Sequence, residues 1–299
     1  MLHISKLNNL NIQWVTQDPD LFELDWLQEI LQIEAIHIVR DVVKDSLVDK
    51  NTLIIGNHAV NYRYILEDLR QNHKKYGVLL LSDENLIEPC EWLHDPSCLF
   101  SIRNYVNPWL FGHPKVTTIG LGYKRGFING RLKEKSIYER KYWWCFAGTP
   151  HGERGVMTEC FKDLQVGKIH YCSGFNAADG LGVEEYASVL NDSVFALCPP
   201  GQDSMDSFRI YEALEAGCIP VALKRTERVP IHPSYWHAIF EGEQELPFIL
   251  GDSWQECREQ VNKTIELHKT ETLQINCQRL WARTKEKWKD QIEKLMREF

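Results

Sequence analysis

Short apolar runs rich in branched residues alternate along the chain with longer stretches whose apolar positions recur at helical spacing. IHIVRDVV (36–43), NTLIIGNH (51–58) and YGVLLLSDE (76–84) predict strands, and YRYILEDLRQNHKK (62–75) predicts a helix. Two shorter apolar runs follow at 98–102 and 116–119. GLGYKRGFINGRLKEKS (120–136) is polar and turn-prone, and predicts a linker. Beyond it the alternation restarts. YWWCFAG (142–148), KIHYCSG (168–174), SVFALCP (193–199) and CIPVAL (218–223) predict strands, separated by helices at 152–164, 183–192 and 208–216. The last 46 residues, from WQECREQV (254–261) onward, read as helical throughout. Strand–helix alternation of this kind implies parallel sheets covered by helices. The expected architecture is α/β: two Rossmann-like domains facing each other across a cleft, followed by C-terminal helices. The expected boundaries are 1–125, 126–275 and 276–299, the last being a helix that packs back on the first domain.

CPPGQDSMDSFRIYEALEAGCIPV (198–221) repays closer reading. A buried strand ends at Cys198, and Pro199-Pro200-Gly201 turns the chain outward. Ser207 is a good N-cap, Phe208, Tyr211 and Leu214 share one helical face, and Gly217 stands where a left-handed residue ends a helix. Such a helix start exposes unpaired N–H groups beside a glycine turn, which suits an anion. Arg209 in the first turn opposes the helix dipole, at a cost of some tenths of a kcal/mol when exposed. That placement fits a bound diphosphate, with Glu212 one turn on to accept hydrogen bonds from ribose hydroxyls. The alternative is an i,i+3 pair between Arg209 and Glu212 on a solvated face.

The chain of 299 residues is 43% hydrophobic and 25% charged, an ordinary globular composition. A net charge of -8 argues against nucleic acid as the main partner. Ten Trp supply core packing and also flat faces on which sugars stack. Nine Cys without a CxxC pair suit free thiols in a reducing compartment better than a disulfide framework or a zinc site. With neither a signal-peptide run nor a membrane span in the sequence, the expectation is a cytoplasmic protein. Trp281 and Trp288, seven apart on a Lys-rich helix, either touch a membrane surface peripherally or pack against the domain.

SFRIYEALEAGCIPV (207–221) resembles the C-terminal signature of exostosin-type glycosyltransferases, in which a proline-glycine turn leads into Ser-Phe-Arg, Glu-Ala and Gly-Cys-Ile-Pro-Val. WWCFAGTPHGERGVM (143–157) resembles the Phe-Ala-Gly loop and following Arg of the same family. LSDEN (81–85), IRNY (102–105) and GLGYKRGF (120–127) are similar to the subgroup containing ribitol-xylosyltransferase and its bacterial relatives. The resemblance implies the GT-B fold, with a UDP-sugar as donor substrate on the C-terminal domain and no cofactor. It carries donor binding onto Gly148, Arg154, Gly201, Ser207, Arg209 and Glu212. Arg154 and Arg209 would hold the diphosphate and Glu212 the ribose, while Gly148 would let the backbone approach. The acceptor would be a glycan, free or lipid-linked.

With guanidinium groups and a helix N-terminus at the phosphates, the leaving group needs no metal. The one DxD, Asp18 to Asp20, precedes the first expected strand and is a poor metal candidate. An inverting transfer needs a general base. Asp83 and Glu84, just past the strand YGVLLL, are the candidates, with His58 at the end of NTLIIGNH as a second choice. Many retaining GT-B enzymes carry a second glutamate eight positions before the ribose-binding one. Here that position is Ser204, so inversion is expected. A nucleotide-sugar epimerase of the same fold and a non-catalytic UDP-sugar-binding module are the competing readings.

Overall fold

The computed structural model describes residues 10–57, 59–130, 132–224, 235–240 and 245–299. It divides into two compact units, one formed by Met1–Gly120 with Lys285–Phe299 and the other by Leu121–Thr284.

In the first unit the elements are β1 (Leu10–Val15), α1 (Leu24–Leu31), β2 (His37–Val39), α2 (Val42–Asp45), β3 (Asn51–Gly56), α3 (Ala59–Gln71), β4 (Tyr76–Leu80), β5 (Cys98–Arg103) and β6 (Val116–Thr118). They build one parallel sheet in the order β2-β1-β3-β4-β5-β6. Leu53, Ile54 and Ile55 of β3 and Val78, Leu79 and Leu80 of β4 are almost wholly buried, as strands covered on both faces must be. Two expectations fail here. LNIQWV forms a central strand that the sequence pattern does not announce, and α1 follows it. IHIVRDVV breaks at Asp41, whose carboxylate caps α2 by accepting from the Val43 and Lys44 N–H groups. Only three of its residues remain as an edge strand.

The second unit contains β7 (Tyr142–Gly148), α4 (Arg154–Phe161), β8 (Gly167–Tyr171), α5 (Val183–Asn191), β9 (Ser193–Leu197), α6 (Phe208–Glu215), β10 (Ile219–Leu223), α7 (Tyr235–Ile239), β11 (Ile249–Gly251) and α8 (Trp254–Glu266). Its sheet, also parallel, runs β11-β10-β9-β7-β8. The chain therefore reverses direction across the sheet between β7 and β9, the position at which open α/β sheets leave a crevice. α9 (Thr270–Met296) supplies residues to both units: those through Thr284 group with the second and those from Lys285 with the first.

The stretch expected as a linker is packed structure. Leu121, Tyr123 and Phe127 are buried, and Phe127 stacks on Tyr123 at 6.1 Å and meets Tyr186 edge-on at 6.3 Å. Three large apolar side chains hidden among glycines and cations anchor it. Arg140 closes the ends of two helices. Its Nη1 donates to the Leu190 carbonyl in the last turn of α5 and to the Ser193 carbonyl at the start of β9, and its Nη2 to the Ala216 carbonyl after α6. The tryptophans of α9 are also packed. Trp281 is buried and donates to Glu215 at 2.5 Å, and Trp288 meets Trp26 edge-on at 6.0 Å. Of the two alternatives for these tryptophans, packing against the protein is the one that forms. No helix among the described residues is long and apolar enough to cross a membrane.

Candidate functional site

The carboxyl end of β7 and the turn after β9 carry the chemistry of the second unit. α6 begins at Ser207 and ends as expected: the Gly217 N–H bonds the Leu214 carbonyl, the Cys218 N–H bonds Ala213, and Gly217 takes φ +66°. Ser207 is the N-cap by position, but its hydroxyl donates to the Pro199 carbonyl at 3.4 Å instead of capping the helix. The first-turn N–H groups of α6 are therefore not taken up by that side chain. Asp206 pins the incoming loop. Buried, it accepts from the Ser207 N–H at 2.9 Å and from the hydroxyls of Tyr211 (2.8 Å) and Tyr235 (3.0 Å).

Two guanidinium groups meet here. Arg154, at the start of α4 and buried, donates through Nη1 to the Thr149 hydroxyl (2.7 Å) and carbonyl (3.2 Å), and through Nη2 to the Pro200 carbonyl (3.1 Å). It thus spans the crevice between the loops after β7 and β9. Arg209 donates from Nε to the Ala147 carbonyl at 3.2 Å and lies over the Phe146 ring at 5.7 Å. Burial, with the Arg209 charge beside it, lowers the Arg154 pKa to about 10. Two like charges held together and partly desolvated repel each other and attract a polyanion. Gly148 is what makes room. It adopts φ +153°, and a Cβ there would stand 2.5 Å from Nη2 of Arg209. Gly201 sits half-buried in the turn after β9.

Glu212 is 2% exposed, so the solvated Arg209–Glu212 pair is not what forms. Its carboxyl accepts from the Lys124 N–H at 3.3 Å, and burial pushes its pKa up to about 7, against the opposing pull of Lys124 and Arg209. Tyr186 lies within its electrostatic reach and is held in the protonated form by burial and by that carboxyl. His151 is exposed in the loop before α4.

In the first unit the carboxyl ends of four neighbouring strands bear polar side chains. Asp83 is engaged through both carboxylate oxygens. It is 3% exposed, its Oδ2 pairs with Nη2 of the equally buried Arg103 at 2.9 Å, and its Oδ1 accepts from the Ile87 (2.9 Å) and Glu88 (3.3 Å) N–H groups. It is a loop-closing anion, and the sequence hid this because its partner lies twenty residues on. Glu84 is half-buried beside it, and His58 lies outside the described residues. Sequence reasoning missed Glu23, which follows β1 and is 6% exposed. Its Oε1 accepts from the exposed Ser82 hydroxyl at 3.1 Å, and burial raises its pKa, reinforced by Asp18. Ser82 holds φ +56° and donates its N–H to Asn104 Oδ1 at 3.1 Å. Asn104 Nδ2 and Asn57 Oδ1 are buried without partners. The strained Ser82 and these two amide atoms thus lie at the carboxyl ends of a parallel sheet, where open α/β sheets bind ligands. The only sequence signal was polar residues following apolar runs. Among the described residues no cluster of His, Cys, Asp and Glu could hold a metal ion, and Asp18 accepts the Asp20 N–H at 2.9 Å in a local turn.

Comparison with known proteins agrees with this arrangement. Residues 129–257 match the family model described as Exostosin GT47 domain. The matched stretch lies within the second unit. A protein of Arabidopsis thaliana described as "Probable glycosyltransferase" is 25% identical over 248 residues, covering 77% of this chain and 48% of the relative. The chain therefore spans about half the length of the curated relative it matches. Among solved structures, Anabaena HepE in complex with UDP-glucose superposes with a TM-score of 0.60 at 13% identity, over 98% of this chain and 100% of that one. An alpha1,3-fucosyltransferase gives 0.51 at 14% identity, over 92% of this chain and 82% of its own. At such identities the likeness shows the fold, which is GT-B. The matched residues include Gly148, Arg154, Gly201, Ser207, Arg209 and Glu212.

Proposed function

We propose that the chain is an inverting glycosyltransferase that moves a sugar from a UDP-sugar to a hydroxyl of a glycan acceptor. The observation that carries this reading is the convergence of Arg154 and Arg209 beside Gly148 at the crevice between β7 and β9. Their charges, with the first-turn N–H groups of α6, would take up the negative charge that develops on the leaving diphosphate. No metal is needed for that task. Glu212 would accept from the ribose hydroxyls as a carboxylate. In the reaction the acceptor oxygen bonds the anomeric carbon, the bond from that carbon to the phosphate oxygen breaks, and its electron pair stays on the diphosphate. The acceptor proton must go to a base. Since Asp83 is committed to Arg103, we assign that role to Glu23, whose buried carboxyl has a raised proton affinity. The nine cysteines are all free, as suits a reducing compartment, and we place the protein in the cytoplasm on that ground.

The test is calorimetric titration with UDP, together with hydrolysis of a panel of UDP-sugars, for the wild type, Arg209→Ala and Glu23→Gln. Arg209→Ala should weaken UDP by about ten- to a hundredfold. Glu23→Gln should keep UDP affinity and lose about a hundredfold or more in turnover. Absence of UDP binding to the wild type would sink the donor reading. Full turnover in Glu23→Gln would sink only the assignment of the base.

A further inference from the structure

The groups described so far would hold the diphosphate and the ribose, and none of them reads a base. One exposed aromatic ring is tied to the same site from two sides. Phe175 lies in the loop after β8 and is 66% exposed. The loop is not loose. Asp179 accepts the Ser173 N–H at 2.9 Å through Oδ2 and its hydroxyl at 2.9 Å through Oδ1, the His170 ring bonds the Asp179 carbonyl at 2.8 Å, and the Gly180 N–H bonds Ala177. Its first residue, Cys172, donates its N–H to the carbonyl of Gly148 at 3.2 Å, so the loop leaves the sheet at the glycine that admits Arg209. From the other side comes Lys124. Its N–H bonds Glu212, and its ammonium lies 4.4 Å from the centre of the Phe175 ring. A single residue therefore connects the carboxylate assigned to the ribose with the exposed ring.

We propose that Phe175, backed by Lys124, is the platform on which the base of the nucleotide donor stacks, uracil under the reading above, on which this inference rests. An exposed ring joined through Lys124 to the ribose acid, on a loop held by its own hydrogen bonds, offers a face on which a base can stack. Stacking tolerates any base, because each presents a π face. Lys124 polarises the ring and fixes its tilt. Specificity for one base would have to come from backbone groups of the same loop.

The experiment compares calorimetric titrations of the whole chain with UDP and with inorganic pyrophosphate, for the wild type, Phe175→Ala and Phe175→Trp. Because Phe175 is exposed, neither substitution opens the core. Phe175→Ala should weaken UDP by about tenfold or more, leave pyrophosphate unchanged, and Phe175→Trp should restore UDP to the wild-type affinity or better. Equal UDP affinity in wild type and Phe175→Ala overturns the proposal. So does a parallel loss for pyrophosphate, which would mean that the loop had moved and not that a stack was lost. If Arg209→Ala weakens UDP while Phe175→Ala does not, the donor site stands and this platform alone is wrong. If the wild type binds no UDP, both fall.

Discussion

Replacing Gly148 by alanine tests the donor site through a residue that touches no ligand by its side chain. The new Cβ would lie 2.5 Å from Nη2 and 3.4 Å from Cζ of Arg209, and 3.2 Å from the tip of Phe146. The first distance is impossible for real atoms, and the cheapest relief is for the guanidinium to swing away, since it ends a flexible side chain. Moving it gives up the contact over Phe146 and the bond to the Ala147 carbonyl. Charge-assisted hydrogen bonds of the displaced group are worth about 1.5–3 kcal/mol, or about ten- to a hundredfold in UDP affinity. Separately, an alanine forced to φ +153° costs about 1–3 kcal/mol of stability. Calorimetric UDP titration reads the first effect and urea unfolding the second. The decisive comparison is a double-mutant cycle. In an Arg209→Ala background, Gly148→Ala should cost stability and almost no further UDP affinity. Unchanged UDP affinity in Gly148→Ala, or losses that simply add in the double variant, would refute the idea that this glycine acts through Arg209.

Two further predictions concern buried carboxyls. Glu212 keeps its proton in the folded state up to about pH 7, against 4.5 for the free group, so the folded chain binds more protons across that window and stability falls as pH rises through it. The full effect is about 3 kcal/mol; Glu212→Gln should flatten that slope in urea midpoints measured from pH 4.5 to 8. UDP should bind the ionised form, so wild-type affinity should rise toward pH 7, and a flat profile would contradict the ribose role. Asp83→Asn removes the charge opposite a buried Arg103 and should cost about 3–5 kcal/mol of stability. Its UDP affinity should persist where it remains folded, and a stable variant with lost turnover would return Asp83 to the chemistry.

Much of the second sheet was legible because β7, β9 and β10 are apolar runs flanked by Pro or Gly, as in SVFALCPPG, and because Gly217 can end α6; the three-residue β11 was not. β1 was illegible for a specific reason. LNIQWV carries Asn11 and Gln13, yet Gln13 is wholly buried, with its amide donating to and accepting from the backbone of Leu47. Local pattern holds no trace of a partner that far along the chain. The same limit governs the site. Arg209 and Glu212, which we propose for the donor, lie on one short helix, so their spacing alone made them candidates. The pairing of Asp83 with Arg103 and the contact of Glu23 with Ser82 both join residues far apart in the sequence, so no local pattern shows them. Phe175 was passed over because an exposed ring in a glycine-rich loop has no periodicity to mark it.

The grip of Tyr211 and Tyr235 on Asp206 has a kinetic consequence. Since the loop entering α6 is already locked to two helices, a nucleotide bound as proposed would find that loop in place. Association should then be a single fast phase, and the lifetime of the complex should follow the number of phosphate contacts instead of the opening of a gate. Loosening that lock with Tyr235→Phe would slow capture before it hastened release, turning a preformed socket into one that each donor must assemble for itself.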